Sequence, residues 1–118
     1  MAIALDVATN GGFVDPGTSR TWSHTCSGSD RILVVHCLGQ NAADRISGVT
    51  YNSTPMSRAT ITASQNNTRL YIYTLVAPST GANNVVVTIS ASTSCGFLSV
   101  SYTGAQQSGQ PDEVGTNV

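Results

Sequence analysis

The hydrophobic pattern of this chain repeats every second residue, and this period constrains the fold more than any other feature. In "FLSVSYTG", apolar Leu98, Val100 and Tyr102 alternate with Ser99 and Ser101. Successive side chains of a β-strand point to opposite faces, whereas a helix repeats apolar residues at spacings of three and four. We expect the three apolar residues to face the core and the two serines to face away.

Turn-forming residues interrupt the pattern about every eight to twelve residues, which is typical of an all-β domain. We predict a single antiparallel β-sandwich of jelly-roll or immunoglobulin-like type, with about eight strands. The segment "TNGGFVDPGTS" is predicted to be a long loop because of its glycines and its Asp-Pro-Gly turn. The predicted strands are 2–8, 20–26, 31–38, 47–52, 57–63, 69–76, 84–91 and 96–103.

The length of 118 residues fits one domain. We place this β-sandwich domain at residues 1–104, and we interpret residues 105–118, which are polar, as a C-terminal arm or edge strand.

Charged residues are scarce: they make up 9% of the chain, with five Arg and a formal net charge of −1. Nucleic-acid binding needs several basic side chains on one face, so we expect no nucleic-acid partner. No apolar run approaches the roughly 20 residues of a membrane span, so we expect no membrane partner either. Small polar side chains fill the surface instead, which is typical of β-rich extracellular or virion-surface modules.

The segment "TWSHTCSGSDRILVVHC" contains both histidines of the chain and two of its three cysteines, which are possible zinc ligands. We predict a hairpin that turns at "SGSD". In this hairpin His24, Cys26 and Cys37 share a face and His36 points to the other. Cys26 and Cys37 then lie about 20 Å apart along the strands, too far for a disulfide or a shared metal. We therefore predict no metal and no cofactor, and we interpret these residues as packing positions.

No set of nucleophile, base and orienting group occurs in the sequence, so we predict no catalytic residues and no enzymatic activity. Ser23 and His24 are neighbours in a predicted strand and therefore face opposite ways. Whether Cys37 pairs with Cys95 stays open, because a disulfide requires that their two strands be neighbours.

Two exposed tyrosines on one strand face could instead bind sugar rings. Tyr71 and Tyr73 alternate correctly in "RLYIYTLVAP" for such a surface stripe. With loop residues such as Asn66 and Asn67, they form the basis of an alternative function, a carbohydrate-binding or host-adhesion module of a tail fibre or surface protein.

Four segments, in this order, resemble a small β-sandwich module of phage structural proteins and bacterial surface proteins. The module has a W-S-H-T strand, an L-V-V strand, a V-T-Y strand, a tyrosine-bearing strand that ends at a Leu-x-x-Pro turn, and a V-x-V-T strand. The segments are "TWSHTCSGSDRILVVHC", "ISGVTYNSTPMSRA", "RLYIYTLVAPSTGANNVVVTISAS" and "FLSVSYTGAQQS".

This resemblance implies a structural virion protein, most like a capsid decoration (cement) protein. Such a protein would be made in the host cytoplasm and would lie on the capsid exterior. Its partners would be the major capsid protein or another virion protein, and it would form homo-oligomers, with a trimer favoured. We expect the two ends of the chain to make the partner contacts, through Met1, Ala2, Ile3, Gln110, Pro111, Asp112 and Glu113.

Overall fold

Two strands of 23 residues each organise the fold, and they pair with one another along most of their length. The structure is a computed structural model that describes residues 2–62 and 66–108. Its strands are β1 (Ala4–Cys26), β2 (Ile32–Gly39), β3 (Ile46–Tyr51), β4 (Thr54–Pro55), β5 (Ser57–Ile61), β6 (Arg69–Val76) and β7 (Gly81–Thr103).

All the strand pairs are antiparallel, and the two ends of β7 have different neighbours. The first part of β7 lies between β1 and β3, and β4 continues this side of the sheet. The second part lies between β1 and β2, and β6 and β5 continue that side. We call the sheet formed by β1, the first part of β7, β3 and β4 the four-stranded half. The sheet formed by β1, the second part of β7, β2, β6 and β5 is the five-stranded half.

The inner faces of the two halves meet in one hydrophobic core. Trp22 of the four-stranded half packs on Phe97 of the five-stranded half, with their ring centroids 5.5 Å apart. Leu33, Val35 and Val85 are fully buried in the same cluster. The structure therefore confirms the predicted all-β antiparallel fold, in which one continuous sheet surrounds the core.

The prediction of a long loop at "TNGGFVDPGTS" is wrong, because these residues form the middle of β1. The register between β1 and β7 shifts between Asn10 and Gly12, and again between Val14 and Ser19. Such bulges let a strand absorb extra residues and bend without ending. The predicted strands 2–8 and 20–26 are thus one strand, and 84–91 and 96–103 are likewise one strand.

The predicted hairpin of residues 20–26 with 31–38 is also wrong. Cys26 pairs with Gly81 of β7, whereas β2 lies between β7 and β6. The chain at "SGSD" crosses from one sheet half to the other instead of turning within a ladder. The predicted inward positions of His24, Cys26 and Cys37 hold nevertheless, since all three are at most 1% exposed.

The predicted facing of "FLSVSYTG" is wrong for the serines and for Leu98. Ser99 and Ser101 are completely buried and Leu98 is 40% exposed, whereas Val100, on the same face as Leu98, is buried at 9% exposure. A strand has only two faces, so burial of the serines directs the alternate residues outward.

The three cysteines are buried and free. The strands of Cys37 and Cys95 are neighbours, but Cys95 pairs with Gly39 and Cys37 pairs with Phe97, so the two thiols are offset by two residues. Burial, with a smaller contribution from Cys95, raises the pKa of Cys37 to about 12. Burial also raises the pKa of Cys26 and of Cys95. At neutral pH, therefore, these thiols are protonated and shielded.

We predict that the native protein resists thiol modification. A chromogenic aromatic disulfide should react with Cys26, Cys37 and Cys95 roughly 100-fold or more slowly than in denaturant, because the reaction needs an exposed thiolate. The denatured chain should show three reactive thiols without reductant. As a control, the variant Ser23→Cys places a thiol on the exposed face of β1 and should react at once. Fast reaction of the wild type would contradict the buried positions.

Candidate functional site: a buried polar network beneath an apolar sheet face

A chain of hydrogen bonds crosses the core from β1 to β7 and back. The indole Nε1 of Trp22 lies 2.9 Å from Ser99 Oγ, which lies 2.8 Å from His24 Nδ1. On the other side of the imidazole, His24 Nε2 lies 2.9 Å from Ser101 Oγ, and this hydroxyl lies 2.8 Å from Asp6 Oδ2. The network therefore satisfies both ring nitrogens of a histidine that is 1% exposed.

The positions of the protons in this network follow from the groups at its two ends, Asp6 and Trp22. Asp6 as a carboxylate only accepts, so Ser101 donates to it and accepts from Nε2–H of His24. The Trp22 indole only donates, so Ser99 accepts from it and donates to Nδ1 of His24. The imidazole is therefore neutral and carries its proton on Nε2.

The network contains serine, histidine and aspartate but is not arranged for nucleophilic catalysis. In a catalytic triad the carboxylate orients the histidine directly, and the histidine activates an accessible serine. Here Ser101 stands between Asp6 and His24, and both Ser99 and Ser101 have no exposed surface. No substrate carbonyl can reach either hydroxyl, so the network fixes strands rather than activating a nucleophile.

The ionisation states agree with this arrangement. Burial lowers the pKa of His24 below its ordinary value, and the Asp6 charge opposes this shift only in part. Burial disfavours the charged form of Asp6, but hydrogen bonds from Ser27 and Ser101 outweigh it and hold the pKa of this carboxyl below its usual value. The folded protein thus keeps His24 neutral and Asp6 ionised at neutral pH.

The outward side of the five-stranded half is apolar. On this side Leu98 lies opposite His36, and His36 lies opposite Ile72 on the next strand. We define the outer face as the outward residues of β2, β6 and the second part of β7: Ile32, Val34, His36, Leu38, Leu70, Ile72, Thr74, Val76, Gly96, Leu98, Val100 and Tyr102.

The outer face contains no Asp, Glu, Lys or Arg, and His36 is its one group that titrates near neutral pH. Burial alone lowers the pKa of His36, so this residue too is neutral at pH 7. At the edge of the same half, three more large apolar side chains are exposed: Ile3 (65%), just before β1, and Leu5 (64%) and Phe13 (70%) on β1. The outer face and this edge together form a largely apolar surface, although Ile32, Thr74 and Val100 within it are at most 9% exposed. The exposed carboxylate of Asp15 lies at one end of this surface, near Leu38 and Gly96.

A groove of about 240 Å³ lies at one end of the outer face. Phe13 of β1 and Leu38 of β2 form its apolar walls, Asp15, Gln40 and Ser94 contribute polar atoms, and Gly96 of β7 lies between the two strands. A Cβ added to Gly96 would meet no atom within 4 Å, so the missing side chain itself opens the groove. Sequence reasoning overlooked this site, although an isolated glycine within a strand often marks a close approach.

The residues predicted to contact a partner are only partly described. Ala2 and Ile3 are exposed, as a contact segment requires. Met1, Gln110, Pro111, Asp112 and Glu113 lie outside the described residues. At the other end, Ala105 is 5% exposed and donates its backbone N–H to Asp30 O, so the first residue of the predicted arm packs against the body of the protein.

The prediction that Tyr71 and Tyr73 face solvent is wrong, since they are 1% and 4% exposed. Their rings lie under the guanidinium of Arg58, which is 5.3 Å and 5.6 Å from the two centroids. Tyr73 OH accepts a hydrogen bond from Arg58 Nε, and Tyr71 OH accepts one from the backbone N–H of Arg45. These tyrosines hold Arg58 and its partner Asp44 in place and form no open stripe for a sugar.

Comparisons with protein-family models, curated proteins and solved structures gave no match for this chain. Within residues 2–62 and 66–108, no three His, Cys, Asp or Glu side chains are grouped so that they could hold a metal ion. A search of the same residues found no helix with the length and apolar character that a membrane crossing requires.

We predict that Ser99→Ala destabilises the protein by about 2–4 kcal/mol. The change leaves two buried groups without a partner, the Trp22 indole N–H and Nδ1 of His24, and each unsatisfied group costs about 1–3 kcal/mol. The measurement is the free energy of unfolding from urea titration. Ser23→Ala is the matched control, because this serine is exposed on the same strand as His24, and its effect should stay within about 0.5 kcal/mol. Equal effects of the two changes would argue against the network.

We predict that stability falls as the pH is lowered through the range in which histidine titrates. The unfolded chain takes up protons below about pH 6.5, while folded His24 and His36 resist protonation. The contribution of these two neutral histidines to the free energy of unfolding is therefore complete above about pH 6.5. It is lost as the pH falls towards their lowered folded pKa values. Urea titrations between about pH 7.5 and about pH 5 measure this slope. His36→Gln should reduce the slope but retain the His24 part; a flat wild-type profile would contradict the burial of both rings.

Proposed function

We propose that this chain is a non-enzymatic structural virion protein, and specifically a phage capsid decoration (cement) protein that stabilises the capsid exterior through surface contacts. The observation that carries the proposal is the apolar, uncharged outer face with its exposed neighbouring edge at Ile3, Leu5 and Phe13. Large contiguous apolar patches on soluble proteins mark interaction sites.

Contact area is the property that a decoration protein uses. The polar groups most suggestive of chemistry, His24 with Ser99 and Ser101, are sealed inside the core. Within residues 2–62 and 66–108, β1 pairs only with β7, so this part of the chain offers a partner sheet surface and the other edge of β1. An exposed strand edge can also add to a partner's sheet through backbone hydrogen bonds. The resemblance of the four sequence segments to a module of phage structural proteins supports the same function.

The structure offers less support for a carbohydrate-binding module. That alternative depended on Tyr71 and Tyr73 as exposed aromatic rings, and both rings are buried. Of its loop residues, Asn67 already uses its side-chain oxygen to accept a hydrogen bond from the backbone N–H of Ala42.

The test is to tag the gene in its native genome, purify virions and separate heads from tails. A decoration protein should be found in the head fraction in many copies, and heads that lack it should break at lower temperature or lower osmotic stress. Recovery in the tail fraction would assign the chain to a fibre or tail component. Absence from purified virions would overturn the proposal.

The terminal contacts are tested in the same system by deleting residues 109–118. This deletion retains Ala105, which is packed against the body, so the domain should still fold. We expect it to abolish attachment to heads if Gln110–Glu113 contribute contacts. Normal attachment would remove the C-terminal segment from the proposed contact surface and leave the β1 edge.

A further inference from the structure

We propose that a second copy of this chain binds to the outer face, so that two five-stranded halves pack face to face around a two-fold axis and the Gly96 groove receives an apolar side chain of the partner copy. This inference uses the same outer face as the function proposed above. If a second copy covers this face, the β1 edge remains for contact with a capsid, and measurements of oligomeric state and of attachment to heads separate the two uses.

Charge is the first argument for a second copy as the partner. The outward residues of β2, β6 and β7 include no Asp, Glu, Lys or Arg, and His36 is neutral at pH 7. The one carboxylate that lines the groove is Asp15, which accepts a hydrogen bond from Ser94 Oγ and lies at the end of the face. An acidic partner would therefore find no complementary group, whereas two largely apolar faces can meet with little unpaired charge buried between them. A two-fold interface uses the same patch on both copies, so one neutral apolar surface is sufficient for both sides.

Area is the second argument. Strands lie about 4.8 Å apart and outward side chains repeat about every 6.6 Å along a strand, so each outward residue covers about 32 Å². Four outward positions on each of β2, β6 and β7, extended onto β1 and β5, would cover roughly 600 Å² per copy. Ile32, Thr74 and Val100 are at most 9% exposed and add little, which leaves roughly 500 Å² per copy. The total of about 1,000 Å² for two copies is at the lower limit for a specific interface.

Shape is the third argument. Phe13 and Leu38 are 70% and 49% exposed and stand beside the groove over Gly96, so the surface has both protruding side chains and a recess. The groove volume of about 240 Å³ is below the roughly 300–1,000 Å³ of small-molecule pockets, and it suits a single large side chain better. Sheets that pack face to face interdigitate their side chains in this way.

Glycine substitutions give a sharp test. Gly96→Leu fills the groove from within; an added Cβ meets no atom within 4 Å, and the backbone there needs no positive φ. Gly48→Leu is the matched control, because Gly48 lies in β3 of the other sheet half and is equally free of neighbours. Both variants should keep the wild-type fold, which circular dichroism and urea unfolding verify.

The measurement is the mass of the purified protein by sedimentation velocity over a range of concentrations. We expect a wild-type dimer with the Gly48→Leu variant unchanged, and at least a tenfold weaker dimer for Gly96→Leu. Leu98→Gln, at an exposed position in the centre of the outer face, should weaken it as well and provides a second variant if Gly96→Leu folds poorly.

Several results would overturn the proposal. They are a monomeric wild type at all concentrations, a trimer, or a dimer that both Gly96→Leu and Leu98→Gln leave intact. A monomer that becomes dimeric when residues 109–118 are deleted would assign the outer face to the chain's own C-terminal segment. A monomer whose attachment to heads is lost in Gly96→Leu would assign the face to the capsid; this outcome overturns self-association while it supports the virion function.

Discussion

The buried hydrogen bonds of His24 are the constraint on which the rest of this structure depends. They connect β1 of one sheet half to Ser99 and Ser101 of the other. A shift of β7 by one residue would move both serines to the solvent side and leave the imidazole and the Trp22 indole buried without partners. The apolar contacts of the core alone do not define the register so strictly, because Leu98 and Val100 would fill an apolar space equally well.

This polar constraint has an apolar consequence. Because side chains alternate, inward Ser99 and Ser101 place Leu98 and Val100 on the opposite side of the sheet, where Leu98 is 40% exposed. The chain thus uses polar residues where a core normally has leucine, and it uses leucine where a surface normally has serine. Natural proteins break a local rule of this kind mainly where function requires it. The inversion therefore connects the interior of the five-stranded half to the interaction surface on its other side.

The sequence predicted what local pattern determines. The strands that correspond to β2, β3, β5 and β6 lie within about two residues of their predicted positions, because each has clear alternation between turn residues. Local pattern could not predict which strands pair over a long distance in the chain. The sequence predicted that the end of β1 pairs with β2, the next strand, but β1 pairs with β7. The facing of Leu98 could not be read from hydrophobicity, since it depends on His24, 74 positions earlier in the chain. The recess at Gly96 depends on Phe13 and Leu38 from two other strands, so no local signal contained it.

The few charges of the chain are used in a way that fits recognition by area. Arg31 donates to the carbonyl oxygens of Pro78 and Gly28, and Arg69 donates to those of Ala42 and Thr62. Arg58 donates hydrogen bonds to the carboxylate of Asp44 and to the backbone carbonyl oxygen of Ile46. These guanidinium groups connect loops and strand ends to the sheet, so their charge is committed within the fold rather than presented as a steering field. A partner of the five-stranded half therefore meets shape and apolar surface, and its binding should depend little on salt because few exposed charges are available for screening.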